Sequence, residues 1–361
     1  MDFALNVPIN DVSFGQVSVA LLREMHARDL QPCVFPISKV SINTQSNLSE
    51  DFKSWLNSCI SKSVRSHSRS NPIFKLWHLQ DSLESHSKEQ VLLTFYELDQ
   101  PTKNEINIAK NNRTCFTSEY SCDIYKDVGV ETGYIPLGFD GDNFHRTDKQ
   151  YYDDDRIVFN LVGKFEKRKN HQKVIETWLK KYGNNPKYFL NCAVYNPFFS
   201  ESQNKSIWNA LLKGKDYFNI NFFQYFDRND QYNDFLNSGH ILIAASGGEG
   251  WGLPEFQSVA MGKHSLVLKA TGYKGWANDK NSVLMYPTSK EEVYDNQFFR
   301  KGADYNQGHV FWFDEEDFIE GCEESIERYN KNPINEEGLK LQEQFSYSKT
   351  VDKIIEELEK V

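Results

Sequence analysis

The stretch SGGEGWGLPEFQSVAMGKHSLVL (246–268) decides the reading of this chain. It follows the apolar run ILIAA (241–245), which reads as a buried strand, and it opens LPEFQSVAMG (253–262), which reads as a helix with Pro254 in its first turn. Gly247, Gly248, Gly250 and Gly252 let a backbone come close to a ligand, and amides at the start of the helix suit a phosphate. The spacing excludes two common phosphate loops: neither G-x-G-x-x-G nor G-x-x-x-x-G-K-[ST] can be drawn here. Glu249 stands among the glycines. A carboxylate repels phosphate, so it is expected to face hydroxyl groups such as those of a sugar.

Outward from this loop, strands alternate with helices. Toward the N-terminus, RIVFNLVG (156–163) reads as a strand, NHQKVIETWLKKYG (170–183) as a helix ending at a glycine, and KYFLNCAV (187–194) as a strand. SLVLKA (265–270) is a further strand on the other side. The polar segment DGDNFHRTDKQYYDDDR (140–156) reads as a linker. Before it a second series runs: strands at FALNVP (3–8), QPCVFPI (31–37), NPIFKLWHL (71–79), QVLLTFYEL (90–98), NRTCFTS (112–118) and TGYIPLGF (132–139), with a helix at 17–29. Two α/β halves with parallel sheets follow from this order.

Composition bounds the function. With 361 residues, 39 % hydrophobic and 14 % aromatic, the chain has material for two sizeable cores. A net charge of −10 argues against a surface that is basic throughout. Charge is nonetheless uneven. Residues 53–75 hold Lys53, Lys62, Arg65, Arg69 and Lys75 with no acid, whereas 314–328 hold eight acids against Arg328. The acidic run reads as a solvated helix face, and the basic run as either a mobile Ser-rich loop or a handle for a phosphate backbone. The six cysteines have no metal or redox spacing and read as free thiols of a cytoplasmic protein. No apolar run approaches the length of a membrane span, and the N-terminus lacks the pattern of a signal peptide. Asp153, Asp154 and Asp155 contain a D-x-D, read here as charged linker and not as a metal site.

The string E-G-W-G-L-P-E-F-Q-S-V-A-M-G (249–262) resembles the donor-site signature of glycosyltransferase family 4 and its GT-B relatives, E-G-F-G-L-P-x-x-E-A-M-A-x-G. Glu249 matches the first Glu, which in that family contacts the donor sugar. Gln257 stands where the second Glu binds the nucleotide ribose, and it keeps hydrogen-bonding capacity without the charge. VGKFEKRKNHQKVIE (162–176) resembles the G-R-x-x-x-x-K-[GN] element, with Lys164 in the Arg position and Lys169 in the Lys position. TGYKGW (271–276) stands in place of the usual Gly-Gly-x-x-Glu. TFYELD (94–99), TSEYSCDIYKDVGV (117–130) and YIPLGFD (134–140) resemble acceptor-domain elements more loosely, and FSYSKTVDKIIEEL (345–358) resembles the terminal helix that returns to the first domain.

The resemblance implies a GT-B fold, an α/β architecture of two Rossmann-like domains with parallel sheets facing across a cleft. Residues 1–150, with a helix at 344–361, would hold the acceptor, and 151–343 the donor. It implies a retaining, metal-independent transfer of sugar from a nucleotide-diphosphate sugar (a UDP-sugar first of all), with no prosthetic group. Lys164 and Lys169 would stabilise the leaving diphosphate, and Glu249 would orient the sugar. Gly163, Gly248, Gly250, Trp251, Gly252, Leu253, Gln257, Thr271 and Gly272 would line the donor site, with Gly15 approaching the diphosphate from the first half. His78, at a strand end, is a catalytic candidate. Glu97, Asp99, Arg65 and Arg69 are candidates for the acceptor, which is a glycan, a lipid-linked or small molecule, or duplex DNA carrying hydroxymethylated cytosine. The reading from another class is a non-catalytic sugar-nucleotide-binding protein.

Overall fold

A computed structural model describes residues 2–152 and 155–361. The chain divides into two compact units, one of residues 1–143, 300–308 and 342–361, the other of 144–299 and 309–341. Residues 300–308 therefore leave the second unit and return to the first, an excursion no sequence pattern announced.

Unit 1 is a six-stranded parallel sheet in the order β2-β1-β3-β4-β5-β6. Its strands are β1 (Ala4–Pro8), β2 (Cys33–Ile37), β3 (Ile73–Leu76), β4 (Gln90–Thr94), β5 (Arg113–Phe116) and β6 (Gly133–Tyr134). The inner strands are buried on both faces, which is why they read as continuous apolar runs. β6 is only two residues long, because Pro136 interrupts the run expected over 132–139. Helices α1 (Ser13–Ala27), α2 (Glu50–Ser66), α3 (Lys103–Lys110) and α4 (Glu119–Asp127) connect the strands. The C-terminal helix, Tyr347–Leu358, packs on α1, β3 and β4. Arg28 anchors it through Asp352 (2.6 Å) and the Ser348 carbonyl (2.7 Å).

α2 corrects the reading of the basic run. Most of that stretch is a helix and not a loop, capped by the Ser49 hydroxyl accepting from the Phe52 amide. Phe52, Leu56, Cys59 and Ser63 form its buried stripe. Lys75 lies inside the unit, donating to the carbonyls of Asp81 (3.2 Å) and Glu84 (2.7 Å), and Lys53 pairs with Glu50. Lys62 donates to the Gln31 carbonyl (2.6 Å), so three of the five cations are already committed within the protein.

Unit 2 is also a six-stranded parallel sheet, in the different order β12-β11-β10-β7-β8-β9, which sets its first strand between its second and fourth. The strands are β7 (Ile157–Val162), β8 (Tyr188–Ala193), β9 (Ile220–Phe222), β10 (Ile241–Ala244), β11 (His264–Leu268) and β12 (Val283–Met285), all parallel. A separate antiparallel hairpin pairs β13 (Ser289–Glu292) with β14 (His309–Trp312). Helices α5 (His171–Tyr182), α6 (Glu201–Leu211), α7 (Asn229–Ser238), α8 (Leu253–Ala260) and α9 (Glu315–Lys331) flank the sheet. The core joins Phe159, Leu161, Trp178, Ile243 and Leu266 with Phe318 and Cys322 of α9, whose acidic residues face water.

The six cysteines are free thiols. Among the described residues no helix is long and apolar enough to cross a membrane, and no cluster of three or more His, Cys, Asp or Glu is placed to hold a metal ion. Asp153 and Asp154 lie outside the described residues.

Candidate donor site

Two turns at the carboxyl ends of adjacent strands build the site. After β7, Gly163 adopts φ +107°, a conformation open to glycine at little cost. The 3-10 turn Lys167–Lys169 follows, and Asn170 (φ +56°) starts α5. Asn tolerates this left-handed geometry, and here its side-chain amide donates to the carbonyls of Ala245 (2.9 Å) and Phe311 (3.1 Å). After β10, the glycine loop is stitched to the first turn: the Gly247 amide (2.8 Å) and the Ser246 hydroxyl (3.2 Å) both donate to the Arg168 carbonyl.

An alternating chain of charge runs through these turns. The Glu249 Oε1 atom receives the Lys169 ammonium at 2.5 Å and the Arg168 guanidinium at 3.0 Å. Arg168 also reaches Glu166 at 2.7 Å and donates to the Gly248 carbonyl at 2.5 Å. Glu166 in turn meets Lys164 at 3.2 Å, and Glu255 lies 4.0 Å from Lys169. Burial opposes the charges of Glu249, Lys169 and Glu255. It pushes Glu249 up, but Lys169 and Arg168 overcome that and hold the carboxyl well below the usual range. Burial pushes Lys169 down, yet Glu249 and Glu255 raise it overall. At Glu255 burial prevails over Lys169, so its carboxyl is raised. Removing one partner of such a buried pair typically costs about 3–5 kcal/mol, because the other charge stays behind.

Glu249 therefore departs from the expectation that it would face sugar hydroxyls alone. It is the counter-ion of the two cations nearest the glycine loop. Its backbone is fixed as well: its amide donates to the Thr271 hydroxyl (2.9 Å), and its carbonyl accepts from the Gly272 amide (2.9 Å). Thr271 holds φ +42°, a strained value for a β-branched residue, beside the same cluster.

The remaining donor candidates divide by what occupies the space around them. At Gly252 (φ +80°) a Cβ would lie 2.2 Å from the Tyr273 ring, and at Gly272 it would lie 2.7 Å from the Glu249 and Gly250 carbonyl oxygens. These glycines admit the protein's own atoms. Trp251 is a core residue, packed on Phe256 at 5.3 Å, with its carbonyl accepting from the Trp276 indole. Gln257 is buried, and Leu253 is half-buried at the start of α8. Lys164 is partly exposed, with its ammonium 4.5 Å from the centroid of the Phe298 ring and 5.1 Å from that of Phe198.

In unit 1, Gly15 does not open a path to a ligand: a Cβ there would lie 2.2 Å from the Asn10 carbonyl oxygen, so the glycine serves the packing of α1 on the loop after β1. His78 is exposed just past β3, its ring 4.6 Å from Phe14 and 5.3 Å from Trp77. Glu97 and Asp99 are half-buried in the loop after β4, and Asp99 packs against Gly308 of the 300–308 excursion. Arg65 and Arg69 are exposed at the end of α2 and in the turn before β3. That places them at the amino-terminal edge of the sheet, opposite the carboxyl edge where open α/β sheets bind ligands.

Pattern reading missed Arg168, Glu166, Glu255 and Asn170. Arg168 stood beside Lys169 in KRKN (167–170), but only the 3-10 turn shows that both side chains meet one carboxylate.

Comparison with known proteins places the fold. No family model matches the chain, and no curated protein is detectably similar in sequence. Solved structures match over nearly its whole length. Sucrose-phosphate synthase (tll1590) from Thermosynechococcus elongatus superposes with a TM-score of 0.69 at 12 % identity, covering 99 % of this chain and 98 % of that one. A glycosyltransferase from Rickettsia africae ESF-5 gives the same score, identity and coverage. Anabaena Alr3699/HepE, solved in complex with UDP and glucose, gives 0.66 at 12 % identity over 100 % of both chains. The fold is GT-B, an α/β architecture with two parallel six-stranded sheets.

Proposed function

We propose that this chain is a glycosyltransferase that uses a nucleotide-diphosphate sugar, with unit 2 holding the donor and unit 1 the acceptor. One observation carries the reading: Lys169 and Arg168 converge on Glu249 inside the glycine loop, at the carboxyl edge of a parallel sheet. Solved neighbours of the same fold bind UDP and UDP-glucose, which makes a UDP-sugar the first donor to try.

In the proposed reaction the acceptor oxygen forms a bond to the anomeric carbon as the bond from that carbon to the diphosphate oxygen breaks. The electron pair leaves with the diphosphate, and the acceptor's proton passes to a phosphate oxygen. The incoming oxygen enters on the face the diphosphate leaves, so configuration is retained. Lys169, Arg168 and Lys164 stabilise the charge growing on the diphosphate, the first two from buried positions. Glu249 holds the two inner cations until the donor arrives and then orients the sugar. Gln257 takes the ribose. The ammonium and guanidinium groups supply the positive charge that a divalent ion supplies elsewhere, so the reaction is read as metal-independent.

The placement of Arg65 and Arg69 gives no support to a duplex-DNA acceptor. The test of the main reading is donor turnover: incubation with UDP-, GDP-, ADP- and dTDP-sugars, following nucleoside diphosphate release. Slow hydrolysis of one donor, accelerated by an acceptor, is the expected result. Tight donor binding with no turnover under any acceptor would favour a non-catalytic sugar-nucleotide-binding protein.

A further inference from the structure

The carboxyl edge of unit 1 carries a group of rings that the donor chemistry does not use. Trp77 and His78 are the first residues past β3, Phe95 is the first past β4, and Phe14 lies in the first turn of α1 after β1. These strands are neighbours in the sheet, in the order β1-β3-β4. Phe14 is buried and forms the floor. Phe95 stacks on it at 4.2 Å with the ring planes 15° apart, His78 lies at 4.6 Å, and Trp77 at 5.9 Å. Trp77 and Phe95 are half-exposed and His78 is exposed.

Charge on the same edge is negative. The loops at 9–12, 38–49 and 95–102 carry Asp11, Glu97 and Asp99 against Lys39, whereas Asp140 and Asp142, past β6, pair with Arg23 at 3.6 and 3.7 Å. A phosphate backbone would be repelled there, and a purely apolar chain would have no use for carboxylates. A saccharide fits both features. A pyranose has an apolar face of C–H groups that packs on an aromatic ring, and a rim of hydroxyls that donate to carboxylates.

We infer that Trp77, Phe95 and His78, set over Phe14, form the acceptor subsite, and that the acceptor is an uncharged saccharide. This rests on the transferase reading above and deepens it by naming the acceptor class.

The test combines acceptor response with donor affinity. Neutral probes are glucose, galactose, N-acetylglucosamine and cellobiose; charged comparators are fructose 6-phosphate and a short DNA duplex. For the wild-type protein, at least one neutral saccharide should accelerate nucleoside diphosphate release saturably, and the charged comparators should not. Trp77→Ala and Phe95→Ala should each raise the KM for that saccharide tenfold or more, and Trp77→Phe and Phe95→Tyr, which keep a ring, should recover most of the loss. UDP affinity, measured by calorimetry, should be unchanged in all four variants, which also reports that unit 2 remains folded. Acceleration by a charged comparator alone, no response to any neutral probe in a protein that binds UDP, or an unaltered KM in the alanine variants would overturn the subsite. Failure of the wild-type protein to bind any of the nucleoside diphosphates would instead remove the transferase reading on which the subsite depends.

Discussion

The carboxyl edges of the two six-stranded parallel sheets differ in chemistry. In unit 2 the edge is ionic: Lys164, Glu166, Arg168, Glu249 and Lys169 form a continuous chain of ion pairs, its inner members buried. In unit 1 it is aromatic: Phe14, Trp77, His78 and Phe95 stack, with carboxylates in the surrounding loops. The two parallel sheets thus end in different side-chain chemistry, and the difference lies in the first few residues past each strand. A leaving group that gains charge needs fixed cations in a dry site. A neutral, hydroxyl-rich partner needs a flat apolar face.

The largest effect expected from breaking the ionic edge is at Glu249. Glu249→Gln keeps the shape and removes the counter-ion, and turnover should fall by about 10²-fold or more, the scale of losing one positioned group in a catalytic site. UDP affinity should stay level or rise, because a negative charge beside the diphosphate has gone. A variant with normal turnover would show that the pair with Lys169 is structural only.

Acid sharpens the same comparison through stability. His171 of unit 2 is buried and His240 half-buried, and desolvation lowers them to about 3 and about 4 from an ordinary value of 6.5, aided by Lys169 and Lys263 respectively. Below pH 6.5 the unfolded chain binds protons at these rings that the folded unit does not bind until about pH 3–4, so stability falls as pH drops through that window, on the order of a few kcal/mol. The lowered Glu249 adds to the loss below its ordinary value of 4.5, and the raised Glu255 offsets part of it. In unit 1, burial raises Glu105 and Asp140, which bind protons more readily when folded and so resist acid, whereas the lowered His86 and Glu357 act the other way. Hydrogen exchange at pH 7 and pH 4.5 should show protection lost first in β7 and β10. Equal loss in β1 and β4 would contradict the assignment.

The smallest effects are the informative absences. Arg65→Ala with Arg69→Ala should leave donor turnover within a factor of about two, since both are exposed and lie at the opposite edge of the sheet. A steep loss, with salt-dependent duplex binding in the parent protein, would revive the DNA acceptor. EDTA should leave turnover unchanged, and recovery with Mg²⁺ or Mn²⁺ after a loss would show that the cations of unit 2 do not suffice.

Much of this edge chemistry could be read from the sequence where glycine and proline punctuate apolar runs. β7, α5, β10 and α8 stand close to their expected places because Gly163, Gly183 and Pro254 mark their ends. Lys169 came from the family resemblance and Glu249 from its place among the glycines together with that resemblance, but their direct contact was not foreseen. α2 was obscured by its serines, which favour turns over helix interiors, even though Phe52, Leu56 and Cys59 kept a helical stripe. Arg168 and Glu166 escaped because a 3-10 turn, and not a repeating period, brings them to the site. The 300–308 excursion escaped for a similar reason. Its hold on unit 1 comes from specific bonds, such as the Asn306 amide to Glu105 (2.9 Å) and the Thr102 hydroxyl to the Asp304 carbonyl (2.6 Å), and not from apolar patterning. Of the aromatic edge of unit 1 only His78 was singled out, because its four rings come from three separate strand ends.

The central claim is that Lys169 is held by Glu249 for a nucleotide diphosphate. The most direct measurement is calorimetric titration of UDP into the wild-type protein and Lys169→Ala. The account predicts binding to the parent and a loss of about 1.5–3 kcal/mol in the variant, the range for a charge-assisted hydrogen bond to an ionised group. Equal affinity in the two proteins would contradict it.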